Sequence, residues 1–112
     1  MKEYKEKNII IIEITENIQK IQAEELEEKL FQLYSDKKNN ILLDLREITH
    51  ICSSALGNLV SYKRLLKKEG GDLRLIISSE ELIQLFSITM LDKVFELFDS
   101  KEEAVLSFPE DE

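Results

Sequence analysis

Cysteine and histidine occur once each in this chain, proline once, tryptophan not at all, and only three glycines interrupt its 112 residues. Each scarcity removes a class of protein. A single cysteine, Cys52, cannot close an intrachain disulfide, so the fold is not a disulfide scaffold. One histidine, His50, and one cysteine cannot furnish a closed nitrogen and sulfur metal site, and the carboxylates are dispersed. So few glycines leave neither a phosphate-cradling P-loop nor a dinucleotide fingerprint. His50 is the only histidine that could activate a serine. It lies beside Cys52 with no oxyanion-hole or orienting motif, and reads as a turn residue. Neither catalysis nor a bound cofactor or metal is expected.

Basic residues are outnumbered, 15 Lys and Arg against 23 Asp and Glu, for a net charge of -8. That balance argues against direct nucleic-acid binding, which requires clustered cations on the phosphate backbone. The short basic run Lys63, Arg64, Lys67, Lys68 reads as a solvated helix face near a helix C-terminus. Long apolar runs are missing too. Ile9 to Ile12 is the longest, against the roughly 20 residues of a membrane-spanning helix, so no membrane insertion is expected. Met1 to Lys7 alternates in charge and lacks the apolar segment of a secretory signal, which places the expected location in the cytoplasm. With no repeat and no Pro/Gly/Ser linker, one domain is expected over residues 1–108, followed by an acidic tail at 109–112.

What the chain does have is apolar residues, 43% of the total, in two alternating periods. Asn8 to Ile14 reads as a strand covered on both faces, and Met1 to Lys7 offers at most a short charged edge strand. From Ala23 the spacing turns helical through Leu26, Leu30 and Leu33, with Glu24, Glu25, Glu27 and Glu28 as a solvated face. A polar turn at Ser35 to Asn40 precedes a second strand at Ile41 to Leu45. A helix starts around Ser53, with Ala55, Leu59, Tyr62 and Leu66 on one face, and Gly70 and Gly71 stop it. Leu73 to Ile77 is a third strand. Ser78 and Glu81 have capping-box spacing before a short helix through Phe86, and Ser100 and Glu103 repeat it before a last helix at Lys101 to Leu106. Val94 to Phe98 reads as a final strand. The alternation predicts an α/β domain, a mixed β-sheet of about four or five strands flanked by about four helices.

One segment is more specific. Ile41 to Gly57, ILLDLREITHICSSALG, resembles the signature of the STAS domain family, in which a buried strand ending in Asp-Leu leads to Asp-Ser-Ser-Gly-Leu-Gly at a helix start. Asp44, Leu45, Ser53, Ser54, Leu56 and Gly57 match; Cys52 replaces the acidic residue and Ala55 a glycine. The resemblance continues through Tyr62 to Ser79 and Leu85 to Val105, while Glu16 and Gln19 depart from the family's usual first loop. It is strongest to the bacterial anti-sigma factor antagonists, or anti-anti-sigma factors. It implies that Cys52, Ser53, Ser54, Ala55, Leu56 and Gly57 form a partner-binding surface. The implied partner is an anti-sigma factor that is also a serine kinase; binding it releases a sigma factor, and phosphorylation of Ser53 ends the binding. A monomer or small oligomer is expected. The competing expectation is an unphosphorylated STAS scaffold subunit of a signalling or membrane-transport complex.

Physical chemistry makes such a switch reasonable. A serine at a helix N-cap faces unpaired amides and the positive end of the helix dipole, where a phosphate can be held. Its added charge of about -1.5 to -2 would disrupt an interface that buries the bare hydroxyl. Cys52 itself reads as a small packing residue, and Gly57 as a point of close backbone approach within the helix.

Overall fold

The computed structural model describes Met1–Pro109. Of the expected acidic tail, Glu110, Asp111 and Glu112 lie outside the described residues. The elements are β1 (Lys2–Glu6), β2 (Ile9–Glu13), α1 (Lys20–Ser35), β3 (Asn40–Asp44), α2 (Ser53–Lys68), β4 (Asp72–Ile76), α3 (Glu80–Ile88), β5 (Leu97–Phe98) and α4 (Lys101–Ser107), with a 3₁₀ turn at Leu91–Lys93. They form one sheet in the order β1-β2-β3-β4-β5. β1 is antiparallel to β2, and the other pairs are parallel. The α/β fold class is as the periodicities predict.

Each crossover steps in the same direction along the sheet, and crossovers of one handedness then lay their helices on one face. Hence α1, α2 and α3 share a core with Ile10, Ile12, Ile41, Leu43, Leu73 and Leu75, to which they contribute Leu26, Leu30, Leu59, Leu66, Leu82 and Phe86. The opposite pleat, Ile9, Ile11, Leu42 and Ile76, is covered by Ala104, Val105 and Phe108 from the α4 end of the chain. Burial on both faces is why Ile9 to Ile12 is an unbroken apolar run.

Several local expectations shift. α1 starts one turn earlier than Ala23, because the Gln19 amide donates to Gln22 Oε1 at 3.2 Å and closes the helix start. Ser79, not Ser78, caps α3: its Oγ accepts from the Leu82 amide at 3.1 Å, while Ser78 Oγ donates to the Arg46 carbonyl. The last strand is shorter than Val94 to Phe98. Val94 follows the 3₁₀ turn, and Phe95 turns into the core, its ring edge-on to Phe86 at 6.0 Å. Ser100 caps α4 as expected, accepting from the Glu103 amide.

α2 ends in a Schellman motif. Gly71 N–H bonds to the Leu66 carbonyl, Gly70 N–H to that of Lys67, and Gly70 takes φ +84°. Gly71 is the tightly packed glycine, since a Cβ there would sit 2.0 Å from the Asn39 carbonyl oxygen. Gly57 is not: a Cβ added there meets nothing within 4 Å. Close approach therefore does not explain that glycine.

The basic run also divides. Arg64, Lys67 and Lys68 are exposed, but Lys63 is only 8% exposed. Its Nζ donates to Asp72 Oδ1 at 2.5 Å and lies 5.6 Å from the centre of the Phe95 ring. Arg74 holds the other Asp72 oxygen at 2.9 Å and donates to the Ser107 carbonyl. Burial alone would raise the Asp72 carboxyl, but the bonds from Lys63 and Arg74 outweigh it and hold it below its ordinary range. This network ties α2, β4 and α4 together.

Candidate functional site

The start of α2 is built by two stitched loops. The segment before α1 and the segment before α2 form a parallel bridge between Ile18 and Ile51, in which Ile18 N–H donates to the His50 carbonyl and Cys52 N–H to the Ile18 carbonyl. Asn17 reinforces it, its Oδ1 accepting from the amides of Thr49 at 2.8 Å and His50 at 3.2 Å. Behind the loop, Asp44 at the end of β3 is gripped by Arg46 through Nε at 2.9 Å and Nη2 at 2.7 Å. Burial would raise the Asp44 carboxyl, yet the Arg46 bonds hold it low. The β3–α2 loop is thereby fixed at both ends.

The extended backbone runs through Cys52, which is the N-cap of α2, with φ -72° and ψ 161°. Ser53 is consequently the first helical residue and not the cap, so the cap lies one residue earlier than the sequence suggests. The first intrahelical bond is Leu56 N–H to the Cys52 carbonyl at 3.1 Å, which leaves the amides of Ser53, Ser54 and Ala55 ahead of it. Ser53 and Ser54 are exposed.

The six residues expected to meet a partner do not all face outward. Ser53, Ser54 and Gly57 are exposed, and Cys52 and Leu56 are half-buried. Ala55 is 1% exposed and packs in the core between sheet and helices, so its side chain cannot touch a partner. Cys52 is more than a packing residue. Its Sγ lies 3.3 Å from Ser54 Oγ, and this bond, assisted by amides at the start of α2, holds the thiol below its ordinary value against the opposing effect of burial. The expectation of a packing residue alone is corrected.

Two contributors were not singled out from the sequence. Asn17 is one; its sequence signal is an Asn just ahead of a helix, a common loop-pinning position. The other is the N-terminal half of α1, where Lys20, Glu24, Glu27 and Glu28 face Ser54 and Asn58 across a groove of about 440 Å³. Glu27 also accepts a hydrogen bond from the Tyr62 hydroxyl at 2.5 Å, so it is not simply part of a solvated face. Among the described residues, no group of three or more His, Cys, Asp and Glu side chains is placed to hold a metal ion, and no helix is long and apolar enough to cross a membrane.

A buried sheet whose middle strand ends in Asp-Leu and delivers a serine pair to a helix start is an arrangement with known relatives. The STAS domain model matches residues 2–104. The anti-sigma-B factor antagonist of Bacillus subtilis is 33% identical over 98 residues, covering 88% of this chain and 89% of that protein. The chain belongs to the STAS domain family. Two solved structures agree in fold. The Thermotoga maritima protein TM1081 superposes with a TM-score of 0.87 at 22% identity, covering 93% of this chain and 90% of that one. The Bacillus cell fate determinant SpoIIAA in its phosphorylated form gives 0.73 at 16%, covering 93% and 95%. In this STAS domain the signature loop is held by Asn17 and by the Asp44–Arg46 clip, so its serines sit on a rigid support.

Proposed function

We propose that this STAS domain is an anti-sigma factor antagonist that docks on an anti-sigma factor with serine kinase activity through the exposed start of α2, and that phosphorylation of Ser53 ends the docking. The observation that carries the reading is the placement of Ser53: exposed, on the first turn of α2, beside helix amides that precede the first intrahelical bond. The 33% identity to the Bacillus subtilis anti-sigma-B factor antagonist supports it. A phosphate on Ser53 would accept from the helix-start amides without any core rearrangement, while its charge and bulk would occupy the surface that the partner needs.

The scaffold reading draws its support from Cys52, which stands where relatives of this type carry an acidic residue. The two readings separate in one experiment. The protein is used to capture its partner from the native organism, and the captured kinase is then supplied with ATP and the product mapped by peptide mass spectrometry. Phosphate on Ser53 supports the proposal. Phosphate only on Ser54, or transport subunits recovered with no kinase, would overturn it.

A further inference from the structure

The sheet has two edges, and they differ. At β5 the strand is only two residues long and is flanked by the exposed acids Glu96 and Asp99, which would repel an identical edge. At β1 the strand is five residues long, Lys2-Glu3-Tyr4-Lys5-Glu6, and pairs on one side only. Its charges are arranged so that the sequence is its own complement when reversed about Tyr4.

We propose that β1 is a self-recognition edge, on which a second copy of this chain adds antiparallel about a two-fold axis through Tyr4, joining the two sheets into one. In that register Lys2 lies opposite the second copy's Glu6, Glu3 opposite its Lys5, and Tyr4 opposite its Tyr4. Opposed residues lie on the same face of the sheet, where opposite charges attract. The ladder agrees with this register. β1 and β2 are joined by the two-residue turn Lys7–Asn8, with Glu6 opposite Ile9 and Tyr4 opposite Ile11. If the pair beside the turn exchanges both its hydrogen bonds, the alternation of an antiparallel pair turns the N–H and C=O of Glu3 and Lys5 to the open edge. Those are the two residues that the proposed axis sets opposite each other.

The neighbouring antiparallel registers and the parallel in-register pair fail on charge. Sliding by one residue sets Glu3 against Glu6 or Lys2 against Lys5. Sliding by two puts Glu3 against Glu3 or Lys5 against Lys5, and a parallel in-register pair sets like against like throughout. Charged residues on an edge strand ordinarily disfavour pairing; in this order only the register centred on Tyr4 overlaps the whole strand antiparallel with every charge opposite its complement. Within the chain, Glu3 is held by Lys29 at 2.8 Å and Glu6 by Lys101 at 3.4 Å, whereas Lys2 and Lys5 enter no ion pair among the described residues. α2 packs on α1 and β4, away from β1, so pairing leaves both copies of the Ser53 surface open. The inference stands whether or not the proposed function does.

A single short strand buries little surface, so the association is concentration-dependent. Sedimentation velocity over a hundredfold range of concentration, reaching the millimolar, tests it. The expected result is a monomer that converts to a dimer, with the amides of Glu3 and Lys5 gaining hydrogen-exchange protection as it does. The two-fold axis repeats each contact, so Lys5→Glu or Glu3→Lys turns two attractive pairs into two repulsive ones and weakens association about tenfold or more. The double variant Glu3→Lys, Lys5→Glu restores opposite charges across the axis and recovers the dimer. All three are surface changes whose folding is checked by melting. A monomer at the highest concentration, or a dimer indifferent to the single swaps, overturns the proposal.

Discussion

Replacing Asp72 by Asn should unfold this protein more readily than any surface substitution, and the structure sets the scale. Asp72 is 4% exposed and accepts from Lys63 at 2.5 Å, from Arg74 at 2.9 Å and from the Leu73 amide at 2.8 Å. Asparagine keeps the shape but removes the charge, leaving Lys63 buried at 8% exposure without its counter-ion. Breaking a buried pair by removing one partner costs about 3–5 kcal/mol. At roughly 4–8 °C per kcal/mol for a domain near this size, the melting temperature falls by at least about 10 °C. The pH dependence follows from the sign of the shift. The folded carboxyl lies below its ordinary 3.8, so its contribution is complete above the unfolded value and is lost as pH falls through the folded one. Wild-type stability should therefore decline on the acid side of about pH 4, and Asp72→Asn should flatten that decline. Lys63→Met combined with Asp72→Asn removes the stranded cation and should recover much of the loss. Urea denaturation at neutral and acid pH measures all three. An Asp72→Asn protein as stable as the wild type at neutral pH, or with an unaltered acid slope, would refute the assignment.

Gly57→Ala should raise stability by up to about 1 kcal/mol, because the helix gains propensity and the new Cβ meets nothing. Gly71→Ala should lower it sharply, since its Cβ collides with the Asn39 carbonyl; equal melting of the two variants would contradict the packing described. Tyr62→Phe, which removes the hydrogen bond to Glu27, should cost about 1 kcal/mol in thermal melts. The Tyr62 hydroxyl, raised first by burial and then by Glu27, should be among the last to ionise in an ultraviolet titration. Cys52 should alkylate with a pH midpoint below that of a free thiol, and Ser54→Ala should move the midpoint up; a midpoint at or above the free value would contradict the Ser54 contact.

Where the sequence was readable, one physical signal dominated. The apolar runs at Ile9 to Ile12 and Ile41 to Leu43 announced strands covered on both sides, and helical spacing at Ala55, Leu59, Tyr62 and Leu66 fixed the inward face of α2. Ala55 was on that face in the periodicity itself, so its burial, and its unsuitability as a contact, followed from a pattern already visible. What could not be read were features decided by long-range partners. Lys63 belongs to a basic run and goes inside only because Asp72, nine residues on, waits beneath it. Ser78 and Ser79 are equivalent as caps until the Arg46 carbonyl takes one of them. The N-cap lies at Cys52, one residue ahead of Ser53, because the Ile18–Ile51 bridge ends the extended backbone there and α2 begins at Ser53. Asn17 pins that bridge across more than thirty residues of sequence, which no local pattern conveys.

The proposed docking surface at the start of α2, closed by charge at Ser53, is probed by isothermal titration of the proposed anti-sigma partner, once captured, against the unmodified protein, Ser53→Ala and Ser53→Asp. Ser53→Ala is expected to bind like the unmodified protein and Ser53→Asp at least about tenfold more weakly, a loss of about 1.4 kcal/mol or more, with all three melting alike. Equal affinity for Ser53→Asp and the unmodified protein would contradict it.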